Sequence, residues 1–190
     1  MEGKGKQMLA AAALASFCLS AGAQMVVHAV SGMVKSINAN AKTMDVVVDN
    51  GSTSEFKLPS DAKVNLDFDN ALREDSIEAN KFEHVGDYVV LYYYGYDDNR
   101  TAVAVKDLGA GPFKKVQGTV VSYDKHDHTM TVKDDGGKSE SFVLNDHLVV
   151  DRGISVDSGR GYSPHRGDDV TVTYSPSSGK NSPVFIRSRE

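Results

Sequence analysis

Two stretches of this chain carry nearly the same residues at the same spacing. Laid without gaps, 32–65 matches 118–151: Gly32 falls on Gly118, Val34 on Val120, Ser36 on Ser122 and Thr43-Met44 on Thr129-Met130. Val46, Asp49, Gly51, Phe56, Leu58 and Val64 then fall on Val132, Asp135, Gly137, Phe142, Leu144 and Val150. After a shorter connector in the second copy, His84-Val85-Gly86-Asp87 falls on His165-Arg166-Gly167-Asp168, and Val89, Tyr93 and Val103 on Val170, Tyr174 and Val184. A repeat of this kind sets the unit of folding, because each copy must close its own core. The boundary falls at Asp107-Leu108-Gly109-Ala110-Gly111-Pro112, where two glycines and a proline separate strand-like runs.

Each copy reads as β. First strands are expected at about 29–37 and 115–123, each with a glycine near its start, the usual mark of a bulge or sharp coil. Met44, Val46 and Val48 alternate with Thr43, Asp45 and Val47, and Asn50-Gly51 then turns the chain toward Phe56 and Leu58. Asn-Gly suits a type I′ turn, and Gly136-Gly137 stands at the same place in the second copy. A variable connector follows: 67–82 with a short helix capped by Asn70, and 151–164, rich in Gly and Ser, as a loop. Fourth strands at 87–94 and 168–174 and fifth strands at 101–106 and 182–187 complete the unit. The expected architecture is all-β: two tandem five-stranded OB-like Greek-key barrels, 24–108 and 109–190, with an SH3-like barrel as the competing scheme.

Residues 1–23 read as a signal peptide. Lys4 and Lys6 precede an apolar run at 8–19, and Ala21-Gly22-Ala23 offers the small-x-small pattern for a cut before Gln24. The run is short of the roughly 20 residues that span a bilayer. A lipid anchor on Cys18 would need a small residue before it, and Phe17 stands there. Cys18 is the single cysteine, so the processed chain offers no disulfide and no thiolate ligand or nucleophile. Export without disulfides points to a bacterial periplasm, or to secretion. Removing Glu2, Lys4 and Lys6 takes the net charge from −5 to −6, a poor balance for binding nucleic acid. The residues expected to face outward on the second and third strands, such as Thr43, Asp45, Thr131 and Lys133, include no aromatic platform for bases.

The run Gly-x-Val-x-Ser, Thr-Met-x-Val, a Gly-containing hairpin and Gly-Asp-x-Val resembles exported bacterial OB-like barrel domains of unknown function, often found in tandem. It is more distantly similar to the periplasmic copper- and silver-binding chaperones of metal-efflux systems. The second resemblance would imply a histidine, methionine thioethers and a nearby tryptophan. This chain has no tryptophan, Asp134 stands at the histidine position, and Met44 and Met130 sit at inward positions as core residues. That metal site is not retained.

Two groups of side chains remain as candidates. On the fourth strand, Tyr88, Val90, Tyr92 and Tyr94 form an apolar stripe on the face opposite the core, where the second copy has Asp169, Thr171, Thr173 and Ser175. Such a stripe marks a contact surface. Tyr88, Tyr92 and Tyr94 are therefore expected to pack against the other barrel, the 67–82 connector or a second protomer, the favoured reading, or to form a platform for a sugar or other planar ligand. The second group is His126, Asp127 and His128, which could hold Zn²⁺ or Cu²⁺ if a further ligand converged, against the simpler reading of a solvated turn. His84 and His165 precede equivalent Gly-Asp turns, which also accounts for Arg166-Gly167-Asp168 without an adhesion role.

No nucleophile elbow, phosphate loop or zinc-protease motif is present, so no catalytic residue is assigned. The resulting expectation is a non-enzymatic module of the bacterial envelope, without cofactor, that binds an envelope protein or small ligand. A metal-binding role through His126 and His128 is the alternative.

Overall fold

The structure, a computed structural model, describes residues 27–59, 70–176 and 181–189. The expected signal peptide with Cys18, and Val64 ahead of the first connector, lie outside these residues. The chain is all-β, in two sheets. The first holds β1 (His28–Asn38), β2 (Thr43–Val48), β3 (Thr53–Lys57), β4 (Ile77–Glu78), β5 (Tyr88–Tyr94) and β6 (Thr101–Asp107), in the order β3-β2-β1-β5-β6-β4. A parallel contact of Lys57 with Thr101 joins β3 back to β6 and closes the circuit. The second sheet holds β7 (Lys114–Asp124), β8 (Thr129–Asp134), β9 (Ser139–Val143), β10 (Val149–Asp151), β11 (Val156–Ser158), β12 (Asp169–Ser175) and β13 (Ser182–Arg189). Its order is β11-β10-β13-β12-β7-β8-β9.

Matched residues occupy matched ladder positions. The first strand of each half shifts register at the same place, between Val34 and Ser36 and between Val120 and Ser122. The glycines before these bulges are needed for close approach. A Cβ on Gly32 would lie 2.4 Å from the Val47 carbonyl oxygen, and one on Gly118 would lie 2.2 Å from that of Lys133.

The hairpin turns depart from expectation. Gly51 and Gly137 have φ of +82° and +86°, but neither Asn50 nor Gly136 has positive φ, so the turns are not type I′. Gly51 N–H donates to Val48 O and Val48 N–H to Ser52 O; Gly137, Asp134 and Lys138 repeat the pattern. Each is a three-residue loop in which the glycine closes a bulge.

The connectors depart further. The first carries the expected short helix, α1 (Asn70–Glu74), then β4. The second is not merely a loop, because β10 and β11 form an antiparallel hairpin and β10 runs parallel to β13. Val149, Val150 and Val156 are β-branched and buried, and strand pairing satisfies their backbone while hiding their side chains.

Each half closes its own core. Val34, Met44, Val46, Phe56, Val89 and Leu91 pack in the first; Val120, Met130, Val132, Phe142, Val170 and Val172 pack in the second. A third core lies between the halves. From the first half it takes Val27, Ala29, Leu72, Val90, Tyr92, Val103 and Ala104, and from the second Val149, Val156 and Phe185. Tyr92 is 0% exposed there. Tyr94 is half-buried against its edge.

Three polar clusters ring this apolar patch. The Asp49 carboxylate accepts hydrogen bonds from the Ser31 and Tyr88 hydroxyls of its own half and from Thr173 Oγ1 of the other at 3.1 Å. Burial and the Asp49 carboxylate together push the Tyr88 hydroxyl's pKa up. At β1, Ala29 N–H donates to Asp151 Oδ2 at 3.3 Å, while Arg187 donates to Ala29 O at 2.9 Å. Lys106, buried on β6, donates to Asp75 at 3.2 Å and to His147 O at 2.5 Å; His147 Nδ1 lies 2.6 Å from Asp75. The His147 bond, aided by Lys106, holds the Asp75 carboxyl below its ordinary pKa against some desolvation.

Because Tyr92 fills the middle of the third core, Tyr92→Ser is expected to lower global stability by about 3–5 kcal/mol, the range for truncating a buried aromatic. Urea unfolding reads the loss, and hydrogen exchange should show Met44 and Met130 amides still protected. An unchanged unfolding midpoint would contradict this packing role.

Candidate functional site

Three adjoining hollows open along the seam between the halves, of about 400, 500 and 350 Å³. Arg187, on β13, lines all three. It is held in place by its bond to Ala29 O, by Asp151 at 3.5 Å and by the Phe185 ring, 5.9 Å below its guanidinium. Its side chain nevertheless stays 38% exposed.

The second and third hollows share Tyr93, whose side of β5 faces the first core and whose ring meets Phe56 edge-on at 5.2 Å. Its hydroxyl pKa is raised, chiefly by burial. His28, at the start of β1, lies 5.5 Å from the Tyr93 ring and 5.4 Å from that of Tyr96. Tyr96 itself is 68% exposed, at the head of the 3₁₀ turn Asp97–Asn99 that links β5 to β6. Arg100 follows; its carbonyl accepts the Lys57 N–H at 2.9 Å, and its guanidinium sits 5.7 Å over Phe56. The same ladder bond that closes the first half therefore positions an arginine beside the aromatic group. Ser52 and Ser54 add hydroxyls to the third hollow.

The residues singled out from sequence lie elsewhere. None of Tyr88, Tyr92, Tyr94, His126, Asp127 and His128 lines these hollows. Tyr88 stacks on Phe113 of the linker at 4.7 Å and donates to Asp49. His126, Asp127 and His128 sit in the β7–β8 turn. Asp124 accepts the His126 and Asp127 N–H groups, as Asn38 accepts those of Asn40 and Ala41 in the first half. His128 has φ of +48° where Lys42 has +54°, and both carbonyls accept the N–H that follows the third strand. His126 pairs with Asp127 at 2.8 Å, whereas His128 Nδ1 faces the Tyr123 hydroxyl at 3.4 Å.

Among the described residues, the histidine and carboxylates whose ligand atoms do converge are His84, Asp87 and Asp107. Both carboxylates approach one ring nitrogen: Nδ1 lies 3.0 Å from Asp107 and 3.4 Å from Asp87. That is the geometry of a protonated imidazole held by two anions, and the Asp107 bond raises the His84 pKa. The second half has Ser188 at the Asp107 position, and His165 stands 3.9 Å from Asp168.

His28, Tyr93, Tyr96, Arg100 and Arg187 escaped sequence reasoning. Tyr93 reads as a core residue by alternation, and His28 and Arg187 are 159 positions apart along the chain. The one local signal is Tyr96 and Arg100 bracketing the turn that closes the first half. No protein-family model matches the chain, and no curated protein matches it in sequence.

The His84 shift fixes a sign. A histidine whose folded pKa is raised stabilises below its ordinary value of about 6.5, and the contribution fades as pH rises through the folded pKa. Asp107→Asn, which retains an oxygen for Gly109 N–H, should thus unfold earlier in urea than the parent at pH 5.5. The gap should narrow by pH 9. An equal gap at both pH values would remove the ion-pair reading.

Proposed function

We propose that this protein is an exported, non-enzymatic binding module of the bacterial envelope, two OB-like barrels held as one unit that receives a small ligand in the recess around Arg187. The observation that carries the reading is that three hollows of ligand-sized volume meet at one partly exposed arginine, with walls from both halves. The third core supports it, since walls from two halves can hold a fixed shape only if the halves are packed together. Export is supported by the pattern of residues 1–23, and a disulfide-free processed chain suits a periplasm. No described helix is long and apolar enough to cross a membrane.

A fragment screen by NMR on the processed protein tests this reading. Hits are expected to shift the Tyr93 and Tyr96 ring signals and the Arg187 guanidinium, leaving the 126–128 turn unmoved. Hits clustered away from the seam would overturn the recess as the site. Saturable shifts of His126 and His128 with Zn²⁺ or Cu²⁺, and none in the recess, would favour the metal-binding alternative.

A further inference from the structure

Resting on that reading, we propose that the ligand is an acidic saccharide, carrying isolated carboxylates on its sugar rings. The second and third hollows are lined by four arginines, Arg100, Arg152, Arg187 and Arg189, and by two aspartates, Asp97 and Asp151. Asp151 is already engaged, bonded to Ala29 N–H and Gly153 N–H and facing Arg187. Arg152 is partly occupied by Asp157 at 3.7 Å. The first hollow is balanced, with Asp49, Asp135 and Asp169 against Lys115, Arg187 and Arg189, so the positive excess is confined to the second and third hollows, in a chain of net charge −5. That excess attracts an anion at short range while the surrounding field opposes a dense polyanion. Sparse single charges suit it better than a polyphosphate. Arginine forks also match carboxylates in a bidentate fashion.

The uncharged lining points to a sugar. Tyr93 and Tyr96 offer aromatic faces with hydroxyl tips, suited to a ring that is apolar on its C–H face and polar at its edge. Asn50, Ser52 and Ser54 add short polar side chains along the same hollow, the Ser52 hydroxyl donating to Asn50 Oδ1 at 2.7 Å. His28 Nε2, in the wall of the second hollow, is shielded from solvent and has no hydrogen-bond partner. A buried ring nitrogen without a partner is unfavourable, and a ligand hydroxyl that reached it would supply one.

Calorimetric titration tests the assignment, using galacturonic acid trimer, maltotriose as its neutral counterpart, and benzoate and inorganic phosphate as non-sugar anions. The acidic trimer should bind, weaken with added salt, and lose at least tenfold in affinity in both Arg100→Gln and Tyr96→Ala. Both substitutions are at exposed or partly exposed positions outside the three cores, and Arg160→Gln, away from the recess, should change nothing. Equal binding of maltotriose would overturn the acidic part, and equal binding of benzoate or phosphate the saccharide part. Absence of trimer binding, or binding indifferent to both substitutions, would overturn the proposal. If the fragment screen still marks the recess in that event, only the ligand class falls; if it marks another surface, the recess reading falls too.

Discussion

The burial of Val90 and Tyr92 against Phe185, Val149 and Val156 is the contact on which the rest of this molecule depends. Each half has roughly 80 residues, close to the lower size at which one core sustains a domain. A third core spreads the cost of ordering both halves over shared apolar area. The side chains that make it are complementary in size. Tyr92 sits across the ladder from Ala104, whereas the corresponding pair in the second half is Thr173 and Phe185. Large and small are exchanged between strands, so each half offers a bulky ring where the other offers room. Two identical halves would have met ring on ring or left a void.

The polar groups around this core orient the contact. Apolar area alone is non-directional. The Asp49 carboxylate, bound by hydroxyls from both halves, and Ala29, whose N–H and C=O are met by Asp151 and Arg187, admit one register. Lys106 does the same at the far edge, joining Asp75 to the His147 carbonyl. Arg187 belongs to this lock and to the recess at once. The candidate site is thus a product of the joint between the halves.

Much of the fold was readable in the chain because its causes are local. Alternation at Met44, Val46, Met130 and Val132 sets which face is buried, and Gly32 and Gly118 mark where β2 and β8 press on the first strands. The Asn50-Gly51 dipeptide pointed to the right place and the wrong turn, since one positive-φ glycine suffices for a bulged loop. The β10–β11 hairpin was hidden within a Gly- and Ser-rich connector. Its valines become strand because β13 offers an edge to pair with, which no local pattern reveals.

The chain by itself determined that there would be two similar β units, where their hairpins turn, which alternating residues of the early strands face each core, and that the Tyr88–Tyr94 strand carries an apolar outer face. Those properties follow from side-chain period and backbone permission, which act over a few residues. Only the tertiary structure decided that this face would be spent on the other half, that the 126–128 turn would carry its histidines outward, and that His28, Tyr93, Tyr96, Arg100 and Arg187 would share one recess. Residues so far apart in sequence meet only after the two sheets dock, and docking is set by shape and polar pairing across a surface that neither half contains alone.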